Sequence, residues 1–180
     1  MNYGPAFLGA AMKRSVDRSL QFVIVTIFAI LVVCVTWQVI TRYGLGVPSI
    51  VTDELARFLF MWLALIGGAY TYGMRRHLAI DLLTQNLTGK RKLISEALVT
   101  LIVALFAGVV MLRGGGDLVM RTLGNGQVTP SLRLPMGLVY GAIPFSGAII
   151  LYYCALFGFE LANGRMPKGS ETASIGGPLD

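Results

Sequence analysis

Long apolar runs, separated by short polar segments, make up about half of the chain. An α-helix needs about 20 mostly apolar residues to cross the hydrocarbon core of a bilayer. Four runs reach that length, at residues 19–41, 53–74, 93–113 and 136–160. The pattern predicts an all-α integral membrane protein with four transmembrane helices, leaving no room for a sizeable aqueous domain.

The first apolar run follows several basic residues, as the core of a secretory signal peptide does. Its apolar stretch from Leu20 to Ile40 is longer than the roughly 7–15 residues of such a core, and no small-residue cleavage site follows it. We therefore expect a retained helix, preceded by a short N-terminal segment, 1–18. The Gly-, Pro- and Ser-rich residues 163–180 are expected to form a flexible tail, which leaves 19–162 as the membrane domain.

Lysine and arginine are distributed unequally between alternate segments of the chain. Ten lie in the N-terminal segment, the second loop and the tail, against four in the first and third loops. Because loops rich in these residues stay in the cytoplasm, both termini are predicted to be cytoplasmic. The net charge of +6 follows largely from this bias and from attraction to anionic headgroups, so it does not call for a nucleic-acid partner.

The second loop carries a helical pattern of its own. In HLAIDLLTQNL (77–87), polar residues recur at helical spacing on one side and leucines fall on the other. Basic residues flank this stretch on both sides. We expect a short amphipathic helix lying in the cytoplasmic interface between the second and third helices, with an ordinary polar loop as the alternative.

Glycine and proline predict irregularities around the third loop. RGGGD (113–117) predicts that the third helix ends or bends sharply, because each glycine costs about 1 kcal/mol relative to alanine within a helix. Proline is favoured in the first turn of a helix and kinks a helix from within, and small residues allow helices to approach closely. The candidates for such helix-packing roles are Gly68, Pro135, Gly137, Tyr140, Gly141 and Pro144.

Residues that carry enzymatic or redox chemistry are sparse. His77 is the only histidine, whereas a b-type haem needs histidine pairs within its helices. Cys34 and Cys154 fall inside predicted helices, outside any metal-binding spacing, and behave there as small apolar side chains. The middles of all four helices lack charged residues, whereas ion relays place carboxylates at depth. We therefore predict no enzymatic activity, no metal or cofactor site, and no transport by this chain alone.

The stretch DELARFLFMW (53–62) places three charged residues at the start of the second apolar run. Thr52 or Asp53 can cap the helix, whose positive N-terminal end favours acids. Arg57 is one turn from both Asp53 and Glu54, so either carboxylate can pair with it. One acid suffices for a cap, and the surplus acid indicates a contact with another subunit or a lipid headgroup. A self-paired cluster that needs no partner is the alternative.

DELARFLFMWLALIGGAYTY (53–72), followed by RRHLAIDLL (75–83), resembles the signature of the small membrane subunit of tripartite ATP-independent periplasmic (TRAP) transporters. That pattern has an acidic pair, E-x-x-R with an aromatic residue, a later Trp, small residues and His-x-x-x-Asp. The matching positions are Glu54, Arg57, Phe58, Trp62, Gly67, His77 and Asp81. SLRLPMGLVYGAIP (131–144) resembles the start of the family's last helix, through Leu134, Pro135, Tyr140 and Pro144. The glycine triplet at 114–116 and the long tail depart from the pattern.

The resemblance implies a division of labour within the bacterial inner membrane. A large, many-helix subunit carries the substrate and sodium ions, and a soluble periplasmic protein captures a carboxylate solute. The small subunit supports the large one and helps the periplasmic protein dock. Sodium is then expected in the large subunit and no cofactor in this chain. The alternatives are an anchor or assembly subunit of another inner-membrane enzyme complex, or a small exporter that acts alone.

On this interpretation the family positions contact the large subunit or membrane lipid. His77 and Asp81, one turn apart, are expected to pair and to pin the interfacial helix. Phe58 and Trp62 are expected to anchor the contact with the large subunit, lipid-facing aromatic side chains being the alternative. An acidic periplasmic binding protein is expected to dock on the periplasmic face of this chain. The residues of that face are Arg42, Tyr43, Arg121 and Arg133. The alternative is that these side chains are simply solvated.

Overall fold

The computed structural model of the chain describes residues 5–47, 49–74 and 90–162. In these ranges the regular structure is helical, apart from one isolated antiparallel β-bridge between Val128 and Pro135. The helices are α1 (Pro5–Tyr43), α2 (Ile50–Gly73), α3 (Lys90–Leu105), a π-helical segment (Phe106–Gly114), α4 (Gly115–Gly124), α5 (Met136–Tyr140) and α6 (Ala142–Ala162). The expected interfacial helix at 77–87 and the tail from 163 onward lie outside the described residues.

Three long helical stretches among the described residues have the length and composition needed to cross a membrane. They are Met12–Tyr43, Ile94–Gly124 and Met136–Phe159. The first coincides with most of α1, which begins at Pro5, well before the predicted start of the first span. α2 has 24 residues but is not among the three. The count of four transmembrane helices, with α2 as one of them, therefore stays a prediction.

The third helix does not end at the glycine triplet, contrary to the prediction. It runs on from Lys90 to Gly124, through the π-helical segment and then directly into α4. Gly115 is buried, and a Cβ atom there would lie 2.8 Å from Cγ2 of Ile143 in α6. Close approach of α4 to α6 therefore offsets the low helix propensity of glycine at this position.

The fourth helix is interrupted, as Pro144 predicts. Gly141 separates α5 from α6, so the break falls about one turn before the proline. Pro144 has no N–H to donate to the carbonyl of Tyr140, and its ring crowds that carbonyl. Pro135 takes the N-cap position of α5, immediately ahead of the helix.

The helices pack side by side in the order α1, α2, α6 and the third helix. Chain direction reverses from each long helix to the next along the sequence, so α2 and α6 run parallel where they pack. The connections between α1 and α2 and between α4 and α5 therefore come to the same end. We call this the loop end, made of residues 41–47, 49–54 and 121–137. The opposite end is made of residues 13–21, 70–73 and 152–157, where a buried cluster centres on Tyr153 and Phe157.

Glycines mark several of the close contacts between helices. A Cβ at Gly73 of α2 would overlap the ring of Tyr153, and one at Gly147 of α6 would lie 2.8 Å from Cβ of Met111. Gly137 of α5 sits just as tightly against Leu123 of α4. These contacts bring α2, the third helix and the fourth helix together.

Candidate functional site

The N-terminus of α2 is built differently from the predicted cap. Ser49 occupies the N-cap position, without a side-chain capping hydrogen bond. The hydroxyl of Thr52 donates instead to the carbonyl of Ser49 (3.2 Å), and Asp53 pairs with Arg57. The first turn is fastened to α1 by Gln38, whose Nε2 donates to the carbonyl of Thr52 at 2.8 Å. The acids are therefore available for roles other than capping.

Arg57 selects Asp53 from the two acids within its reach. The guanidinium contacts the carboxylate of Asp53 one turn earlier, and both side chains face outward, with exposed fractions of 75% and 48% respectively. Such an exposed pair is worth only about 0.2–1 kcal/mol in water. The pairing leaves Glu54 for another partner and keeps much of the Arg57 guanidinium open to a neighbouring molecule.

Glu54 fastens α2 to the segment that joins α4 to α5. Its Oε2 accepts hydrogen bonds from the backbone N–H groups of Ser131 (2.8 Å) and Leu132 (3.2 Å). Hydrogen bonds to an ionised carboxylate are roughly twice as strong as bonds between neutral groups. The surplus acid of the DELAR stretch is therefore used inside the chain, joining residues 77 and 78 positions apart.

The segment that Glu54 binds, residues 125–135, is itself tightly organised. The N–H of Thr129 donates to the carbonyl of Leu134 at 2.9 Å, and the N–H of Leu134 donates to the buried hydroxyl of Thr129 at 3.1 Å. Arg133 closes the turn at φ 55°, a left-handed conformation that costs a residue with a side chain about 1–2 kcal/mol. These bonds hold the Arg133 side chain on an ordered, exposed turn.

The residues predicted for a docking face all lie at the loop end, and all are exposed. Arg42 and Tyr43 end α1, Arg121 lies in the last turn of α4, and Arg133 lies in the turn that Glu54 holds. A basic residue in the last turn of a helix also complements the helix dipole, which favours Arg42 and Arg121 locally. Together they give the loop end a basic, exposed surface that can attract an acidic one.

The aromatic residues predicted to contact a partner are partly engaged within the chain. The ring of Trp62 in α2 lies 6.0 Å from that of Phe145 in α6, centre to centre, with the planes inclined at 40°. Phe58, one turn earlier, is half-buried. Trp62 therefore stabilises the contact between α2 and α6 within the chain, independently of any partner subunit.

The small residues predicted for packing divide into two groups. A Cβ at Gly67 or Gly68 would meet no atom within 4 Å, so the packing expected of Gly68 finds no partner among the described helices. Gly137, in contrast, is buried against Leu123. Gly141 and Tyr140 are half-buried at the break in the fourth helix. His77 and Asp81 lie outside the described residues.

The opposite end holds a polar contact that the sequence reasoning missed. The hydroxyl of Tyr153, whose side chain is completely buried, donates a hydrogen bond to Oδ1 of Asp17 in α1. Its ring stacks on Phe157 at 6.2 Å, and Lys13 Nζ lies 6.0 Å from the centre of that second ring. The available signal was an acid, Asp17, inside an otherwise basic N-terminal segment.

Two more polar contacts at this end connect α2 to its neighbours. The hydroxyl of Tyr70 accepts a hydrogen bond from Nε2 of Gln21 in α1 at 2.6 Å. The hydroxyl of Tyr72 lies 3.1 Å from Sγ of Cys154 in α6, within a buried environment. Buried polar groups such as the Tyr72 hydroxyl are normally hydrogen-bonded, whereas the Gln21 contact is exposed; together the two contacts connect α2 to α1 and α6.

Comparison with known proteins gives a consistent result. The family model described as "Tripartite ATP-independent periplasmic transporters, DctQ component" matches residues 31–163. A TRAP transporter small permease protein of Haemophilus influenzae is 23% identical over 140 residues, which cover 78% of this chain and 85% of that protein. The sialic acid TRAP transporter small permease protein SiaQ of Vibrio cholerae is 27% identical over 135 residues, covering 72% and 78% respectively.

A third relative is the C4-dicarboxylate TRAP transporter small permease protein DctQ of Rhodobacter capsulatus. It is 30% identical over 123 residues, which cover 68% of this chain and 54% of that protein. The family match includes the last third of α1 (residues 31–43), all of α2, and all of the third and fourth helices. It therefore includes both the Glu54 contact and the exposed basic surface of the loop end.

Proposed function

The chain belongs to the DctQ-component family of tripartite ATP-independent periplasmic transporters, and from that premise we propose that it scaffolds a large, sodium-coupled transport subunit and helps a periplasmic substrate-binding protein dock. As a small permease subunit it is a multi-pass protein of the bacterial inner membrane. We place the loop end in the periplasm and both termini in the cytoplasm, because lysine and arginine are concentrated in the segments on the termini's side. The subunit itself catalyses no reaction.

The docking role is carried by one observation, the binding of the 125–135 segment by Glu54. An ordered surface loses less conformational entropy when a partner binds than a mobile one does. Arg133 lies on the turn that Glu54 holds, and Arg42 and Arg121 end helices at the same end of the bundle. We therefore propose that an acidic surface of the periplasmic protein binds these arginines, since complementary charge speeds association and sets orientation.

The scaffolding role is supported by the difference between the exposed helix faces. α1 and the third helix expose mainly large apolar side chains, such as Phe22 and Leu101, which suit lipid tails. α2 instead exposes a mixed stripe in which small and charged residues, Arg57, Ala64 and Gly68, accompany one aromatic residue, Phe60. Small residues allow helix backbones to approach closely in a membrane. We propose that this α2 face contacts the large subunit, with Arg57 binding that subunit or a lipid phosphate.

The solute is proposed to be a carboxylate. Two of the relatives are named for C4-dicarboxylate and for sialic acid, which are both carboxylates. Sodium and the solute are proposed to bind in the large subunit, since the predicted helix middles of this chain carry no charged residue to coordinate them. The small subunit therefore contributes to uptake through its contacts with the other two proteins.

Reconstitution tests the proposal. The full chain, its cognate large subunit and the periplasmic protein are placed in proteoliposomes under a sodium gradient, and uptake of a carboxylate solute is measured with each protein omitted in turn. We expect uptake only with all three, and co-purification of the chain with the large subunit. Uptake by this chain alone, or full uptake without it, would refute the subunit role.

A further inference from the structure

Two irregularities, in the third and fourth helices, lie at the same level of the bundle. The π-helical segment ends at Gly114, where the glycine triplet begins, and the fourth helix breaks at Gly141. The two places touch, because a Cβ at Gly115 would lie 2.8 Å from Ile143 Cγ2 and 3.1 Å from Pro144 Cδ. Both helices that lead to the loop end are therefore irregular where they meet.

Sterics explain only one glycine of the triplet. Gly115 needs to be small because Ile143 leaves no room for a side chain. A Cβ at Gly116 would meet nothing within 4 Å, and one at Gly114 would lie 3.6 Å from a carbonyl oxygen of its own helix, an ordinary contact. Glycine at 114 and 116 therefore adds backbone freedom that packing does not demand. A π-helical stretch inside an α-helix is frequently found at a functional site.

The residues between the two irregularities hold together as one unit, 115–140, which we call the cap. Gly137 of α5 lies against Leu123 of α4. The N–H of Gln127 donates to the carbonyl of Thr122 at 3.1 Å, and the carbonyl of Gln127 accepts from the N–H of Met136 at 2.9 Å. These contacts join α4, the connecting segment and α5 to each other, in addition to the packing of α4 on α6 at Gly115.

In the described part of the chain, the hydrogen bonds between the cap and α2 involve a single α2 side chain, Glu54. Among the described residues, the hydrogen bonds from Ser131 and Leu132 to α2 both end on Oε2 of Glu54. Asp53, the residue before Glu54, pairs with Arg57 instead. The chain therefore has a compact unit, two glycine-containing connections and one charged attachment point.

We propose that the cap turns as one body about Gly114–Gly116 and Gly141, and that Glu54 is the latch that holds it against α2. Opening of the latch moves Arg121 and Arg133 relative to Arg42, which stays with α1. Glu54 is therefore a positioning residue, which sets the spacing of the basic residues at the loop end. The latch and the hinge are properties of this chain; only the use of that spacing for docking depends on the proposed function.

Spin-label distances in the full-length chain in lipid nanodiscs test the proposal. One pair joins Val51 on α2 to Gln127 on the cap, and a second joins Met120 to Gln127 within the cap; all three side chains are exposed. The labels are carried on a background with the buried cysteines, Cys34 and Cys154, replaced by alanine. Both pairs are measured in the parent chain, in Glu54→Ala and in the milder Glu54→Gln.

Glu54→Ala is expected to increase the mean distance from Val51 to Gln127 and to broaden its distribution, while the distance within the cap stays unchanged. Asp53→Ala, the matched loss of a neighbouring acid, is expected to change neither. An unchanged first distance in Glu54→Ala would overturn the latch. Broadening of both distances would overturn the rigid cap, since it would mean that the segment has melted locally.

The hinge is tested by adding Gly114→Ala and Gly116→Ala to the Glu54→Ala chain. Both alanines fit the space available and favour helix by about 1 kcal/mol each. We expect the distribution of distances from Val51 to Gln127 to become narrower again. If Glu54→Ala had only damaged the 125–135 segment, the two alanines would not restore it. No narrowing would overturn the hinge. Titration of the periplasmic protein then tests function separately: weaker binding to Glu54→Ala, restored by the alanines, supports the positioning role, and unchanged binding refutes it.

Discussion

The carboxylate of Asp17, near the start of α1, accepts a hydrogen bond from the hydroxyl of Tyr153, 136 positions later in α6. The contact joins the first and last long helices of the bundle at the end opposite the loops. Tyr153 is completely buried and is also in contact with Gly73 of α2 and Phe157 of α6. Three helices therefore meet around one side chain.

Removal of the Tyr153 hydroxyl should destabilise the bundle. Tyr153→Phe keeps the ring but leaves Asp17 without this donor, and loss of one partner of a buried hydrogen bond costs about 1–3 kcal/mol. Since Asp17 is only half-buried, we expect the lower part of that range. Thermal unfolding of the chain in nanodiscs measures the effect. Tyr43→Phe, at a tyrosine that is 81% exposed, is the control; an equal Tm for both variants would contradict the role of Tyr153.

Gly73 and Gly67 give a matched pair of substitutions in the same helix. A methyl group at Gly73 would overlap the Tyr153 ring, whereas one at Gly67 would meet nothing within 4 Å. Overpacking typically costs about 1–3 kcal/mol, while alanine in an open helical position gains up to about 1 kcal/mol. We expect Gly73→Ala to lower the Tm and Gly67→Ala to maintain or raise it. The reverse order would show that α2 does not pack on Tyr153 as described.

Hydropathy predicted three of the four long apolar helices in agreement with the structure, because length and apolar composition determine them locally, and the fourth, α2, stays a prediction as a transmembrane helix. The glycine triplet misled the prediction for a physical reason. Propensity counts the cost of glycine in an isolated helix, and the sequence does not show that Ile143 would pack against Gly115. Pro144 was easier to interpret, since a missing N–H interrupts a helix whatever surrounds it.

The polar residues show more clearly that a local sequence pattern does not reveal tertiary contacts. Spacing showed that Arg57 could pair with Asp53 or Glu54, but the choice depends on Ser131 and Leu132, far away in the chain. Local pattern contains no information about such a distant pair of N–H groups. Asp17 was overlooked because it lies among basic residues, where its charge looks like part of a solvated segment. In both cases the missing information was a tertiary contact.

The basic surface of the loop end should control docking of the periplasmic protein. Arg133→Glu reverses one exposed charge, and both residues have a Cβ, so the cost of the left-handed backbone is unchanged. We expect weaker binding of the periplasmic protein, and for the parent chain a dissociation constant that rises with salt, because screening acts over about 10 Å at 0.1 M ionic strength. Titration by fluorescence measures both. Arg14→Glu, at an exposed arginine of the opposite end, is the control, and an equal effect of the two variants would exclude the loop end as the docking surface.

The α2 face proposed to contact the large subunit can be tested with two alanines. Ala64 on α2 and Ala29 on α1 are both exposed, and Ala→Leu adds the same volume at each. In contact with lipid tails a leucine is readily accommodated, whereas between closely approaching helices it forces the backbones apart. We expect Ala64→Leu to reduce co-purification of the large subunit, and Ala29→Leu to leave it unchanged. Should only Ala29→Leu disrupt the complex, α1 would be the face that contacts the large subunit, and the small-residue stripe of α2 would face lipid.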